Sequence, residues 1–443
     1  NPALSIPARG LSGQMYKGAI FWDTEIFMLP FFVNSFPDLA RSLVAYRIRT
    51  LDGALRKAAE YGHRGAWYAW ESQESGDDAC TLFNINDVLT GRPMRTYFRD
   101  KQIHISADIV HAAWECFRAS DDLSLLADGG ARMVYEVCRF LASWVHFRPA
   151  TGKYVLLDVT GPDEYHERVH NDFWTNRIAR EAFRIGLEMD ALLAASAPAL
   201  RTAAHSAVGL TDGELESWRN ILDNLQTTVP DSHGVFPQFD GYLELEDCSV
   251  AELVSRRLHR AVWLGGGAGL ATTTRIIKQA DVVLGLALLG DGVSQAIKRA
   301  NYEFYEPRTE HGSSLSACAY AILAARLGKT DHAYRYFTKT ATADLGADSK
   351  RYVGDLYIGG THPAANGGAW LALTKGFLGL SCAGDRLCLD PRLPAHWEIL
   401  GMMVRVGNEP VRIELGRNSL RIKAVASWDG SEDLIMEIPD ENN

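Results

Sequence analysis

Ala131 to Phe147 reads ARMVYEVCRFLASWVHF. Met133, Val134, Val137, Phe140, Leu141, Trp144 and Val145 recur at three- and four-residue intervals, the spacing of a helix with one buried face. The same period marks Arg41 to Glu60 through Leu43, Val44, Tyr46, Ile48, Leu51 and Leu55. It predicts further helices from about His104 to Phe117, Thr175 to Ala195, Asp212 to Gln226, Lys278 to Leu288 and Asp291 to Tyr302. Others are expected near Leu315 to Leu327, Thr330 to Ala341 and Ala365 to Leu380. About a dozen helices with very little strand, joined by long loops, point to inner and outer rings of a double helical toroid. In such a ring the loops at one end of the inner helices converge on a central pocket. No repeat of fixed period is present, which argues against a solenoid.

The pattern changes near Asp385. Leu387 and Leu389, then Met402, Val404 and Val406, then Val411, Ile413 and Leu415, then Leu420 and Ile422 alternate with other residues. Gly, Asn, Asp and Pro separate these runs, as in short antiparallel strands. The expected organisation is mainly α: a helical toroid over 1–384 and a small β domain over 385–443.

The chain has 443 residues, 47 % hydrophobic and 23 % charged, enough for a large core. A net charge of −10 disfavours non-specific binding to nucleic acid or an anionic membrane. The seven cysteines, Cys80, Cys116, Cys138, Cys248, Cys318, Cys382 and Cys388, are odd in number and form no CxxC pair. That fits reduced thiols in a cytoplasm better than a secreted disulfide framework. No apolar run is long enough to predict a membrane span.

Asp158 to His166 reads DVTGPDEYH. Gly161-Pro162 breaks regular structure, so Asp163 and Glu164 fall on a turn. A carboxylate in partly desolvated surroundings suits a general acid, although most loop carboxylates are solvated or cap a helix. Trp22-Asp23 and the aromatic run Trp67-Tyr68-Ala69-Trp70-Glu71 pair stacking planes with hydroxyl acceptors, as a hexose site would. Read as scaffold, the same residues are core aromatics and a helix cap. His166 to His170 matches HExxH, but the preceding Gly-Pro disfavours the regular helix that a zinc site on this motif requires. Gly265 to Gly269 lacks the Lys-Ser/Thr of a phosphate-binding P-loop and reads as a flexible loop.

Taken in order, FWDTEIFMLPFF (Phe21 to Phe32), GAWYAWES (Gly65 to Ser72), HISADI (His104 to Ile109) and DVTGPDEYH resemble one family. QFDGY (Gln238 to Tyr242), KQADVV (Lys278 to Val283), FYEPRTEHGSSLS (Phe304 to Ser316) and GGTHPAANGGAW (Gly359 to Trp370) continue the match. The family is glycoside hydrolase family 65, whose members include inverting phosphorylases of α-glucosyl disaccharides. The resemblance implies an (α/α)6 toroid with a C-terminal β domain. It makes Glu164 the general acid and Trp22, Asp23, Trp70, Glu71, Lys278 and Gln279 the sugar-binding residues. His311, Gly312, Ser313 and Ser314, with backbone amides at Gly367 and Gly368, become the phosphate site. Two hydroxyls and an imidazole before a helix near Leu315 would suit an anion.

The implied reaction is inverting phosphorolysis of a kojibiose-, nigerose-, maltose- or trehalose-type disaccharide. Its products are β-glucose 1-phosphate and a free sugar, with inorganic phosphate as co-substrate and no metal or other cofactor. One rival is an inverting α-glucosidase or trehalase with Glu310 or Glu306 as base. Another is a non-catalytic sugar-binding protein. Relatives are commonly dimers and carry an N-terminal β-sandwich. This chain starts just before the toroid, so the resemblance implies part of a longer protein. Ala69, where the family often has Pro, and His170, where a smaller or polar residue is expected, depart from the family pattern, and Glu310 and Gly312 beside His311 depart from the maltose enzymes toward the kojibiose and nigerose side.

Overall fold

The computed structural model describes residues 4–10, 16–346, 352–353, 356–357, 359–383, 386–406, 409–417, 419–424 and 434–437. Six helical stretches form a closed inner ring. They are Thr24–Met28 with Leu29–Ser35, His104–Ser120, Phe173–Ser196, Val282–Leu288, Ser316–Arg326, and Pro363–Leu371 with Ala372–Phe377. Each packs on the next, and the last returns to the first. The outer layer among the described residues comprises Pro37–Arg49 with Leu51–Glu60, Ala131–Trp144, Pro198–Val208 with Asp212–Asn224, Gln295–Tyr305 and Thr330–Ala341. This is the (α/α)6 toroid that the sequence led us to expect.

Burial separates the layers. Every residue from Ser316 to Ala325 is buried, whereas Thr330–Ala341 fully buries only Ala333 and Thr340. The inner ring is tight because small residues line it. A Cβ on Gly367 would lie 2.2 Å from the Phe27 carbonyl oxygen, and one on Gly368 would lie 2.8 Å from Cys318 Cβ. Larger residues there would force the inner helices apart.

Helix ends follow local chemistry. Asp172, not Asp163, caps Phe173–Ser196 by accepting from the Thr175 amide at 2.9 Å. Thr211 caps Asp212–Asn224 in a capping box with Glu214. The helix expected from Lys278 begins instead at Val282. Lys278 to Asp281 form the loop before it, because the Lys278 carbonyl, which would open a helical ladder, accepts instead from the Gly312 amide at 2.9 Å. Gly234 to Glu246 is loop with one 3₁₀ turn, Tyr242–Glu244.

The C-terminal strands Ile399–Val406, Glu409–Gly416, Ser419–Ala424 and Leu434–Glu437 form an antiparallel meander. Val411 faces Val404 on one side and Ala424 on the other. Val404, Val411, Ile413, Leu415 and Leu420 are buried. Trp397 joins sheet to toroid, its ring 4.9 Å from Phe377 and 5.7 Å from Phe337. The domain boundary expected near Gly384 falls outside the described residues. No helix among them is long and apolar enough to cross a membrane.

Candidate functional site

The loops that lead into the N-terminal ends of the inner helices meet at one end of the ring. Ile20 pairs with Ser72, and Ile277 with Thr309, as isolated β-bridges. The Phe173 amide donates to the Gln238 carbonyl at 2.7 Å. Asp78 shapes the aromatic loop: one oxygen accepts from Lys57 Nζ at 2.7 Å and the Trp70 amide at 3.1 Å. The other accepts from the amides of Glu71 at 3.1 Å and Cys80 at 3.0 Å.

Asp163 is the hub of the turn. It is fully buried, and its two oxygens accept from the Tyr165 and Lys278 amides, His166 Nδ1 and Gln238 Nε2 at 2.6–3.2 Å. Those four partners orient Glu164, the next residue, toward Lys278, whose Nζ donates to Glu164 Oε2 at 2.6 Å. Gln279 is buried and donates to the Pro162 carbonyl at 2.5 Å, bracing the turn from beneath.

The segment Glu310 to Ser314 reaches the same point. The Gly312 amide donates to the Lys278 carbonyl at 2.9 Å, and the Tyr165 hydroxyl donates to Glu310 Oε2. Arg257 takes the other Glu310 oxygen at 2.9 Å. Glu306 accepts from the Tyr336 hydroxyl at 2.9 Å. Both Glu310 oxygens are thus engaged by protein donors. Lys278 and Tyr165 thus tie the Glu164 turn to the His311 loop, across more than a hundred residues of chain.

His311 sits at a positive φ of 56°, its ring 4.8 Å from Tyr320 and 5.0 Å from Tyr336. Its Nδ1 lies 2.9 Å from Ser316 Oγ, and Nε2 is buried with no partner among the described residues. Burial, helped by the nearby positive charge of Lys339, lowers the imidazole pKa from 6.5 to about 3, so the ring is neutral. Ser313 and Ser314 are partly exposed just before helix Ser316–Arg326.

Asp23, which feels the charge of Glu164, is 8 % exposed and makes no side-chain capping hydrogen bond at its helix start. Burial raises its pKa to about 7, and the charges of Glu25 and Glu164 add to the rise. Burial, with Asp78 nearby, likewise raises Glu71 to about 7. Trp22 has 1 % exposure and packs edge-on against Phe27 and His104, so its ring offers no open stacking plane and belongs to the core. Trp70, packed on Phe21 and Phe98, is 8 % exposed. Gly367 and Gly368 correct an expectation. They lie inside helix Pro363–Leu371, where their amides belong to the helical ladder and their missing side chains admit Phe27 and Cys318. They form no backbone cradle for an anion.

The HExxH motif is not helical. His166 engages Asp163 at 2.6 Å and the Thr274 carbonyl at 2.9 Å, and His170 Nδ1 accepts from the Asp158 amide at 3.0 Å. Glu167, noticed in the sequence only as part of that motif, accepts from the Tyr97 amide at 2.8 Å through Oε1. Burial raises its pKa to about 7, with Glu164 nearby contributing, and Oε2 lacks a partner among the described residues. Ser316, Tyr165, Arg257 and Lys339 also escaped sequence reasoning, because nothing local to them signals their long-range partners.

The model of the glycosyl hydrolase family 65 central catalytic domain matches residues 1–371, and that of the family's C-terminal domain matches 380–441. The chain is 43 % identical over 424 residues to nigerose phosphorylase of Lachnoclostridium phytofermentans, covering 96 % of this chain and 56 % of that protein. It is 42 % identical to 1,2-alpha-glucosylglycerol phosphorylase of Bacillus selenitireducens, covering 95 % and 55 %. Against kojibiose phosphorylase of Halothermothrix orenii it is 36 % identical, covering 95 % and 53 %. The chain thus spans about half the length of these relatives. A solved structure described as a putative kojibiose phosphorylase from human microbiome superposes with a TM-score of 0.83 at 24 % identity, over 100 % of this chain and 63 % of that one, and shares its fold. On the family models and these identities, the chain belongs to glycosyl hydrolase family 65.

Proposed function

We propose that the protein catalyses inverting phosphorolysis of an α-glucosyl disaccharide, releasing β-glucose 1-phosphate and a free sugar. The observation that carries this reading is the junction at Lys278. Its ammonium holds Glu164, and its carbonyl holds the His311-Gly312-Ser313-Ser314 loop. An acid and an anion site joined this closely can serve opposite faces of one sugar carbon. The relatives named nigerose, kojibiose and 1,2-alpha-glucosylglycerol phosphorylase support the reading.

In the proposed step Glu164 gives its proton to the glycosidic oxygen as the C1–O bond to the leaving sugar breaks. A phosphate oxygen forms the new bond to C1 from the opposite face, and the configuration inverts. Phosphate is itself the nucleophile, so no second carboxylate is required. Asp23 and Glu71 accept hydrogen bonds from the glucose hydroxyls. Ser316 Oγ accepts from the Ala280 amide at 3.1 Å, which leaves its own hydrogen for His311 Nδ1. The His311 proton then resides on Nε2, a buried donor awaiting an oxyanion.

The test is to supply α-linked glucosyl disaccharides with and without inorganic phosphate and to follow products and anomeric form by NMR. Phosphate-dependent β-glucose 1-phosphate is expected, falling about 10²–10⁴-fold in Glu164→Gln. Glucose release indifferent to phosphate would establish hydrolysis. Binding without turnover would make this a sugar-binding protein.

A further inference from the structure

Asp172 and Asp281 meet beneath the turn that carries Glu164. Both carboxyls are buried, and they hydrogen-bond to one another. Asp172 Oδ2 accepts from the Thr175 amide at 2.9 Å and the Thr175 hydroxyl at 2.7 Å, and Asp281 Oδ1 accepts from the Trp174 amide at 3.2 Å. That leaves Asp172 Oδ1 and Asp281 Oδ2, which are buried and take no other donor among the described residues. Two ionised carboxylates have no hydrogen to offer each other, so a bond between them requires that one be protonated.

The surroundings favour that proton. Burial, and after it the charge of Asp172, pushes the Asp281 carboxyl well above the usual carboxylate range. Asp163, on the turn above, adds a second negative charge to the field at Asp281. His104, on helix His104–Ser120, acts on Asp172, but its Nδ1 is engaged by Asp108 at 2.7 Å. Tyr305, at the end of helix Gln295–Tyr305, gives its hydroxyl to the Phe236 carbonyl at 2.6 Å. The hydrogen bonds that reach the pair from outside it thus come from two amides and a hydroxyl, with no cation to balance a second charge.

The pair also lies where two parts of the site join. A Cβ on Gly161 would fall 2.5 Å from the Asp172 carboxyl carbon, so the turn rests directly on that carboxyl. Asp281 closes the loop that begins at Lys278, and Lys278 holds Glu164. Above the pair, Gln279 reaches the Pro162 carbonyl and the Lys278 amide reaches Asp163. We infer that Asp172 and Asp281 share a single proton, and that the O–H···O bond it makes is a positioning contact that sets the Lys278 loop against the Glu164 turn. This inference rests on the phosphorolysis reading only for its effect on rate.

The test uses Asp172→Asn, Asp281→Asn and the double variant. In Asp281→Asn, Oδ1 still accepts from the Trp174 amide and Nδ2 donates to Asp172, so the bond survives without a titrating proton. Asp172→Asn keeps it with the polarity reversed. In the double variant both backbone amides keep their acceptors, but two NH₂ groups face each other and the bond is lost. Each single variant is expected to hold kcat within about threefold of wild type, while the double variant falls about tenfold or more below either, with little change in KM for disaccharide or phosphate. Unfolding supplies a second reading that needs no turnover. The folded pair keeps a proton that the unfolded chain releases above about pH 4, so wild type loses stability as pH rises and Asp281→Asn does not at this site. The ratio of their unfolding constants should grow about tenfold per pH unit between pH 5 and pH 7. A ratio independent of pH overturns the shared proton. A double variant as active as the singles, or singles as damaged as the double, overturns the positioning role. A wild type that makes no β-glucose 1-phosphate in the presence of phosphate overturns the phosphorolysis reading instead, and the unfolding curves still decide the proton.

Discussion

Replacing Asp23 with Asn sets stability against the proposed function at one atom pair. Asp23 is 8 % exposed, and burial lifts its pKa from 3.8 to about 7. The folded protein therefore keeps a proton that the unfolded chain releases above about pH 4. Where the folded state binds more protons, stability falls as pH rises. The Asp23 contribution is thus neutral below its unfolded pKa, turns unfavourable between about 4 and 7, and is constant above that range. At about 1.4 kcal/mol per tenfold change in proton affinity, the full penalty is roughly 4 kcal/mol, of which about 2.5 kcal/mol develops between pH 5 and pH 8. Asn fills nearly the same space and carries no charge. Asp23→Asn should therefore gain stability over the wild type by a margin that widens by about 2.5 kcal/mol from pH 5 to pH 8. Parallel thermal or urea unfolding at the two pH values measures it, and the margin should appear as a few degrees in Tm. Catalysis should move the other way, because Asn offers the glucose hydroxyls one acceptor where the carboxylate offers two. Unfolding curves that stay equally separated at both pH values would refute the reasoning, since Asp23 would then carry the same charge folded and unfolded.

Lys278→Met removes the group that fixes Glu164 and should lower kcat by about 10² or more with a small change in Tm; steady-state kinetics with a melting curve separates the two effects. Lys339 is the cation whose field reaches both His311 and Glu310. Lys339→Gln should raise the KM for phosphate about tenfold, with the disaccharide KM little changed, as expected for loss of one charged contact to an anion. Asp163→Asn turns an amide hydrogen pair toward donors that need an acceptor. It should cost about 3 kcal/mol or more, read as a fall in the denaturation midpoint.

Much of the helical framework is legible in sequence because burial on a helix leaves a period. Thr330–Ala341 has the bounds expected of it, and Phe173–Ser196 differs by two residues at its start. The misses share a cause. Pro198–Val208 escapes because it fully buries only Ala204, which leaves almost no apolar stripe. The expected helix start at Lys278 fails because Gly312, far downstream, takes the Lys278 carbonyl that a helix would need. Gly367 and Gly368 look like an anion cradle in sequence, since a glycine that admits a ligand and one that admits a neighbouring helix are written alike. The same limit governs the site. Family resemblance names Glu164 and Lys278, and their 2.6 Å contact joins segments that no local pattern connects. Ser316 is visible only after the chain has folded.

Two groups of desolvated carboxylates around the pocket contrast in how their charge is met. Glu25 faces Arg47 at 2.7 Å, and Asp78 faces Lys57 at 2.7 Å, with all four side chains no more than 5 % exposed. These pairs compensate for desolvation with an opposite charge and brace the loops behind the pocket. Asp23, Glu71 and Glu167 are desolvated too, but no cationic side chain hydrogen-bonds them among the described residues, and each is pushed up to about 7. Asp23 and Glu167 also feel the charge of Glu164. A fold optimised for stability alone would pair or replace such groups. Their concentration around Glu164 makes sense if the partners they await are the hydroxyl donors of a sugar. Lys278 sets a positive charge against Glu164 in this pocket, with the ring of Trp263 over its ammonium.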